Sequence, residues 1–152
     1  LCTFHKFERL KQANLHEEGR QPRLEAYEIL ADKPFCTFVD RRLHQEDCWQ
    51  IHENFAFEAS PLGKGMDCHR TWEALFLKTI PIVKTSPLDS LYQPENFPVI
   101  IVNDWREVTT DNLLRWKAEH ANRFNDNLYR TLGVEYWIQK IKKTALACVH
   151  TQ

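Results

Sequence analysis

The chain has 152 residues, 43% of them hydrophobic and 27% charged, with a formal net charge of −1. That is one domain's worth of globular protein, long enough to bury a single core, and it is not the composition of a disordered chain. The balanced charge gives no electrostatic case for nucleic acid or an anionic membrane as partner, and no apolar run reaches the roughly 20 residues a membrane helix needs.

Leu1 to Phe7 is short and apolar-rich and reads as a first strand. His5, Lys6, Glu8 and Arg9 do not suit a signal peptide, so any targeting signal is expected outside this sequence. Phe7 to Arg23 is polar, contains Gly19 and Pro22, and reads as a loop. Leu24 to Leu30 makes a short helix with Leu24, Tyr27 and Leu30 on one face, and Pro34 marks its end. Phe35 to Val39 is rich in aromatic and β-branched residues, as a strand is. Leu43 to Ile51 reads as a helix and Phe55 to Ala59 as the next strand.

A tight loop with Pro61, Gly63 and Gly65 follows, and then a helix over Asp67 to Leu77 with Trp72, Leu75 and Phe76 turned to the core. Ile80 to Lys84 is a short buried strand, Pro87 to Tyr92 a turn or a single helical turn. Pro98 to Val102 is continuously apolar, the pattern of a parallel strand covered on both faces. Trp105 to Val108 opens another unit. Thr110 or Asp111 caps a long helix to about Phe124, and an amphipathic helix runs from about Asn127 to Val149 with a break near Gly133. Strand and helix alternating at this pace predict an α/β domain, a Rossmann-like parallel sheet with helices on both faces. Ligands of such sheets bind at the carboxyl edge of the strands.

Cys2, Cys36, Cys48, Cys68 and Cys148 are widely spaced, without a Cys-x-x-Cys pair, and are expected to be reduced and packed in or near the core. The histidines lack His-x-x-x-His or His-x-His spacing, and no metal site is expected. Trp105, Trp116 and Trp137 read as packing residues, and Lys140, Lys142 and Lys143 as a solvated helix face.

Chemistry concentrates between Ser60 and Leu75, where a strand enters a loop with two glycines and a helix leaves it. Gly63 and Gly65 permit positive φ and close approach of a ligand to backbone. Free N–H groups at the helix start favour an anion, and a diphosphate is the natural guest. Lys64, His69 and Arg70 add positive charge, and Glu73, one turn on, shares a face with His69 and Arg70. A carboxylate there accepts two hydrogen bonds from a ribose diol. The same residues equally describe a turn, a helix cap and an intrahelical pair of Glu73 with His69 or Arg70.

Ser60-Pro61-x-Gly63-x-Gly65-x-Asp67-x-His69-Arg70-x-Trp72-Glu73-Ala74-Leu75, followed by Ile80-Pro81-Ile82-Val83, resembles the donor-binding motif of exostosin-like glycosyltransferases of the GT-B type. The likeness continues through Leu88-Asp89-Ser90-Leu91-Tyr92, Pro98 to Val102 and Asp104-Trp105, from about Phe55 to Val108, a third of the chain. It departs from the family pattern at Leu62, where Arg is frequent, and at Lys78, where Gly is frequent.

The resemblance implies the C-terminal, nucleotide-sugar-binding half of such an enzyme. It implies a single donor domain over residues 1–152 with C-terminal helices from about 111, and an N-terminal acceptor domain outside this sequence. Arg70 would meet the diphosphate and Glu73 the ribose. Read from the residues alone, Asp67 is either structural or placed to orient His69 or a sugar hydroxyl. Arg20 and Arg23 are candidates for the basic residue that this region supplies to the donor phosphates; otherwise they are solvated loop arginines. The implied reaction is transfer of a sugar from a nucleoside diphosphate sugar to an acceptor hydroxyl on a glycan, protein or small molecule, with no further cofactor and no catalytic metal. The alternative is a non-catalytic nucleotide-binding or assembly module derived from such a domain. Expected partners are the nucleotide sugar, the acceptor, and an N-terminal domain or partner chain, with no nucleic acid and no direct membrane segment. A soluble domain of this kind fits the cytoplasm or, within a longer protein, the Golgi lumen.

Overall fold

The computed structural model describes residues 2–5, 21–39, 43–63 and 65–149, with side chains from 21 to 146 within those ranges. One parallel sheet has five strands: β1 Cys2–His5, β2 Cys36–Val39, β3 Phe57–Ala59, β4 Ile80–Lys84 and β5 Ile100–Val102. Their spatial order is β2-β1-β3-β4-β5, and every hydrogen-bonded neighbour runs parallel. The register pairs Phe57 with Ile80, Ala59 with Ile82, and Ile82 with Ile100. This is the Rossmann-like α/β fold that the alternation of elements predicts.

The helices are α1 Gln21–Leu30, α2 Gln45–His52, α3 His69–Phe76, the single turn α4 Asp89–Tyr92, α5 Thr110–His120, α6 Asp126–Leu132 and α7 Val134–Val149. From β1 the chain moves outward to β2, then returns past β1 to reach β3. Right-handed crossovers therefore lay α1 on one face and α2, α3 and α4 on the other. The two cores agree. Ala26 and Leu30 of α1, with Leu113 and Trp116 of α5 and the fully buried Trp105, cover Phe57, Ala59, Ile80, Ile82, Ile100 and Val102. On the opposite face Leu75 of α3 and Tyr92 of α4 pack with Val83, Phe97, Val99 and Leu128, joined by Trp72 and Trp137. Trp105 and Trp116 are buried as the sequence predicts, whereas Trp137 is half-buried.

Several local expectations are corrected. Pro22 and Arg23 belong to the first turn of α1, not to a loop. Proline is tolerated there because the first helical N–H groups have no intrahelical acceptor. Phe76 does not face the core but is 56% exposed, since the buried stripe of α3 runs through Thr71, Ala74 and Leu75. The cap of α5 is Thr109, whose backbone is extended and whose hydroxyl accepts from the Asn112 N–H. That helix ends at His120 and continues only as a 3-10 turn, Ala121–Arg123. The break near Gly133 is real: α6 stops there, and the glycine is extended, at φ −73° and ψ 146°. Lys140 is not simply solvated; its ammonium pairs with Glu95 and sits 5.2 Å from the Trp137 ring, fastening α7 to the segment after α4. Val134, Ile138 and Ile141 leave an exposed apolar stripe along α7, and Leu146 is exposed beyond it.

The end of α3 holds a residue in a conformation that glycine favours. Lys78 has φ 60°, the left-handed conformation. Its N–H donates to the Leu75 carbonyl and that of Thr79 to the Ala74 carbonyl, the bond pair of a Schellman cap. Glycine is the residue this position favours, and lysine holds it here against steric opposition from its own Cβ.

Candidate functional site

A sheet whose connections reverse between β1 and β3 opens a crevice outside the carboxyl ends of those two strands. The loop from Ser60 to Cys68 leaves β3 at that point and leads into α3. Its entry is anchored by backbone and hydroxyl bonds. The Ser60 N–H donates to the Ile82 carbonyl, and the buried Ser60 hydroxyl bonds the Thr71 hydroxyl of α3 at 2.9 Å. Thr71 also bonds the Tyr92 hydroxyl, whose pKa is pushed up to about 12, first by burial and then by the charge of Asp67. Cys68 takes the N-cap position of α3 without a side-chain cap bond. The Thr71 N–H donates to the Cys68 carbonyl at 3.0 Å, so the helix start has the N–H groups of His69 and Arg70 to offer, which have no acceptor within the helix.

Two arginines converge on this loop. Arg70, 11% exposed, sends Nη1 toward the Pro61 carbonyl at 3.4 Å. Arg23 comes from the first turn of α1, and its Nη2 lies only 3.1 Å from where a Cβ on Gly63 would sit. Gly63 thus gives the Arg23 guanidinium room against the loop; neither Gly63 nor Gly65 uses the left-handed backbone that glycine permits. Gly65 is exposed, and a Cβ there would meet nothing closer than the Asp67 carbonyl at 3.8 Å. Burial, and then the Arg70 charge, lower the pKa of Arg23 from its ordinary value. The side chain remains a cation, because arginine is not deprotonated in proteins. Like charges held together in a partly buried place prefer an anion between them.

Beneath Arg70 lies a charge that sequence reading passed over. Glu58, the middle residue of β3, is 1% exposed. Its Oε2 is 2.8 Å from Nδ1 of the buried His52 at the end of α2, and its Oε1 is 3.5 Å from Nε of Arg70. Burial pushes the Glu58 carboxyl above the usual carboxylate range, while the His52 bond, the His52 charge and Arg70 pull against that shift. The signal was available: a strand with burial on both sides of an acid, Phe57-Glu58-Ala59, needs a partner for that acid. The partner, His52, is too far back in sequence for any spacing rule to link them.

The other predicted residues divide. Glu73 is half-buried on α3, and its Oε1 accepts from Nε2 of Gln45 on α2 at 2.9 Å. The carboxylate is thus held by a neighbouring helix, and Arg70, offered by spacing as its intrahelical partner, pairs with Glu58 instead. Asp67 is exposed and accepts from Nε1 of Trp72 at 2.7 Å; it orients that indole, not His69. His69 is exposed at the first position of α3. Lys64 and Arg20 lie outside the described residues. Cys48 and Cys68 are free thiols, the latter buried. Burial, and then the charges of Asp47, Glu73 and Glu58, raise the Cys48 pKa, the opposite of what activates a thiol nucleophile. Among the described residues no three His, Cys, Asp or Glu side chains gather to hold a metal ion, and no helix is long and apolar enough to cross a membrane.

In comparison with known proteins, the chain matches no family model and no curated protein.

Proposed function

We propose that the chain is the nucleotide-sugar-binding domain of a GT-B glycosyltransferase of exostosin-like type. The observation that carries this reading is the convergence of Arg23 and Arg70 on the Pro61–Gly63 loop at the switch point of the sheet. The two guanidinium groups lie beside the α3 N-terminus, where a diphosphate is best held. Glu73, one turn along α3, is the carboxylate for the ribose diol, with Gln45 holding it in place.

In the reaction, the bond from the sugar anomeric carbon to the diphosphate oxygen breaks and a bond from that carbon to the acceptor oxygen forms. The acceptor hydroxyl gives up its proton, and the nucleoside diphosphate departs with the bonding electron pair. Arg23, Arg70 and the α3 N–H groups stabilise the charge that grows on the leaving diphosphate. The acceptor and the base that takes its proton belong to a second domain or a partner chain. The exposed stripe Val134, Ile138 and Ile141 on α7 supports such a partner, because it leaves apolar surface for one to cover.

Calorimetry with a panel of nucleoside diphosphates and nucleotide sugars tests this reading. Binding of at least one is expected, with loss of about tenfold or more in Arg23→Ala and in Arg70→Ala, each a charge-assisted contact removed. Absence of binding by the whole panel would end the donor-site reading. Binding without sugar transfer, when acceptors and the remainder of the enzyme are supplied, would favour a non-catalytic nucleotide-binding module.

A further inference from the structure

An ionisable side chain in the middle of a central strand is expensive to bury, and a structure that keeps one gives it partners. Glu58 has two, from two different helices. His52 closes α2 immediately before β3, and Arg70 lies in the first turn of α3 immediately after the loop. The contact to Arg70 is made at Nε, the inner side of the guanidinium. Nη1 is turned to the Pro61 carbonyl at the loop. The Nε contact, at 3.5 Å, is an ion pair that draws the inner side of the guanidinium toward Glu58 and leaves the outer edge as what the arginine can offer to an oxyanion. A lysine at the same place would have one ammonium to divide between Glu58 and a ligand.

The backing is also rigid. His52 is 3% exposed, and the Thr79 hydroxyl donates to its carbonyl at 3.2 Å and to that of Phe55 at 3.1 Å, tying the end of α2 to the start of β4. Besides His52 and Arg70, the charged group of α3 that acts on Glu58 is Glu73. Its negative charge opposes the Glu58 carboxylate, and His52 and Arg70 work against it.

We propose that Glu58 is a positioning residue: its buried carboxylate, backed by His52, clamps the Arg70 guanidinium so that its free edge meets a diphosphate beside Arg23. This rests on the donor-site reading. It adds to it that the orientation of Arg70, and not only its charge, sets the affinity.

Inorganic pyrophosphate is a suitable probe, because it presents the anion without a base or sugar. Its binding to the full chain is measured by calorimetry at pH 8 alongside the thermal midpoint of each variant. Glu58→Gln keeps the shape of the side chain and is expected to bind about tenfold more weakly, the scale of one charge-assisted hydrogen bond. In Glu58→Gln/Arg70→Ala the binding should be no weaker than in Arg70→Ala alone, because Glu58 acts through Arg70. Arg70→Lys should lose nearly as much as Arg70→Ala; this variant leaves the buried carboxylate in place and covers the case in which Glu58→Gln fails to fold. Glu58→Gln that binds as well as the parent, losses that add in the double variant, or Arg70→Lys that binds like the parent would each overturn the clamp while leaving the donor site standing. A parent chain that binds neither pyrophosphate nor any nucleoside diphosphate removes both.

Discussion

Phe57 and Glu58 are neighbours in one short strand, and alternation sends them to opposite faces of the sheet. Phe57 enters an apolar layer with Ala26, Leu30, Ile80, Ile82 and Val102. Glu58 enters the layer covered by α2 and α3, where it finds a histidine and an arginine. Both are 1% exposed, so burial does not distinguish them; the chemistry of their surroundings does. One face is free to be optimised for packing alone. The other carries a charge network beside the carboxyl edge, at a cost in desolvation that packing elsewhere must offset.

If that division holds, Phe57→Ala should lower stability by about 3–5 kcal/mol, the range for emptying an aromatic site in a core. Chemical denaturation reads the loss, and the affinity of the surviving folded protein for a nucleoside diphosphate should be unchanged. A fall in affinity comparable to that of the arginine variants would show that the two faces are not separable.

Next in size is Glu73→Ala, expected to weaken nucleoside diphosphate binding by about ten- to a hundredfold, or about 1.4–2.8 kcal/mol. Since Gln45 already donates to this carboxylate, Gln45→Ala should bring a smaller loss in the same assay. A lowered thermal midpoint with unaltered affinity in Glu73→Ala would make the pair a strut between α2 and α3 and nothing more.

A pH series sharpens the contrast further. The folded Glu58 carboxyl is raised above its ordinary value of 4.5, so between that value and the folded one the native state holds a proton that the unfolded chain has released. Its contribution is full below pH 4.5 and is lost as pH rises through the folded value. Parent stability, taken relative to Glu58→Gln, should therefore decline with rising pH across that window, by at most about 1.4 kcal/mol per pH unit. Phe57→Ala should run parallel to the parent. A parent that instead gains on Glu58→Gln as pH rises would mean that His52 and Arg70 outweigh burial.

The smallest expected effect belongs to neither face. Lys78→Gly relieves the left-handed strain at the end of α3 while loosening the unfolded chain, for a net gain of about 0.5–1 kcal/mol in denaturant titrations. A loss would indicate that the lysine stem contributes packing that outweighs the strain.

The parallel sheet and most of its elements were legible because continuous apolar runs such as Val99 to Val102 and the punctuation by Pro61, Pro81 and Gly133 are local signals. So was the clustering of basic residues at the start of α3, where His69 and Arg70 follow the loop. The partners of those residues were not legible. Arg70 meets Glu58, Glu73 meets Gln45, and Asp67 meets the Trp72 indole. Spacing along α3 gave Glu73 and Arg70 to each other, but side chains at helix borders choose among all the elements around them, and β3 and α2 lay closer. The pairing of Arg23 with Gly63 joins residues forty positions apart through the sheet order, which no periodicity reveals. The left-handed backbone at Lys78 was masked for a different reason: lysine is an ordinary helix former, and only the hydrogen bonds of the cap disclose the conformation.

The place of β1 in the sheet bears on how the chain reaches this state. It pairs with β2 on one side and with β3 on the other, and its partner Phe57 lies about 55 positions from Cys2, so strand contacts wait on distant loop closures. Among the described strands no two neighbours are joined by a hairpin that could form early and act as a template. During synthesis β1 emerges before either partner, and a partly made chain exposes its hydrogen-bonding edges until α2 and β3 follow. Assembly is therefore governed by the arrival of β3, the strand that brings Glu58 into the middle of the fold, and a denatured chain should refold more slowly than a helical bundle of the same length.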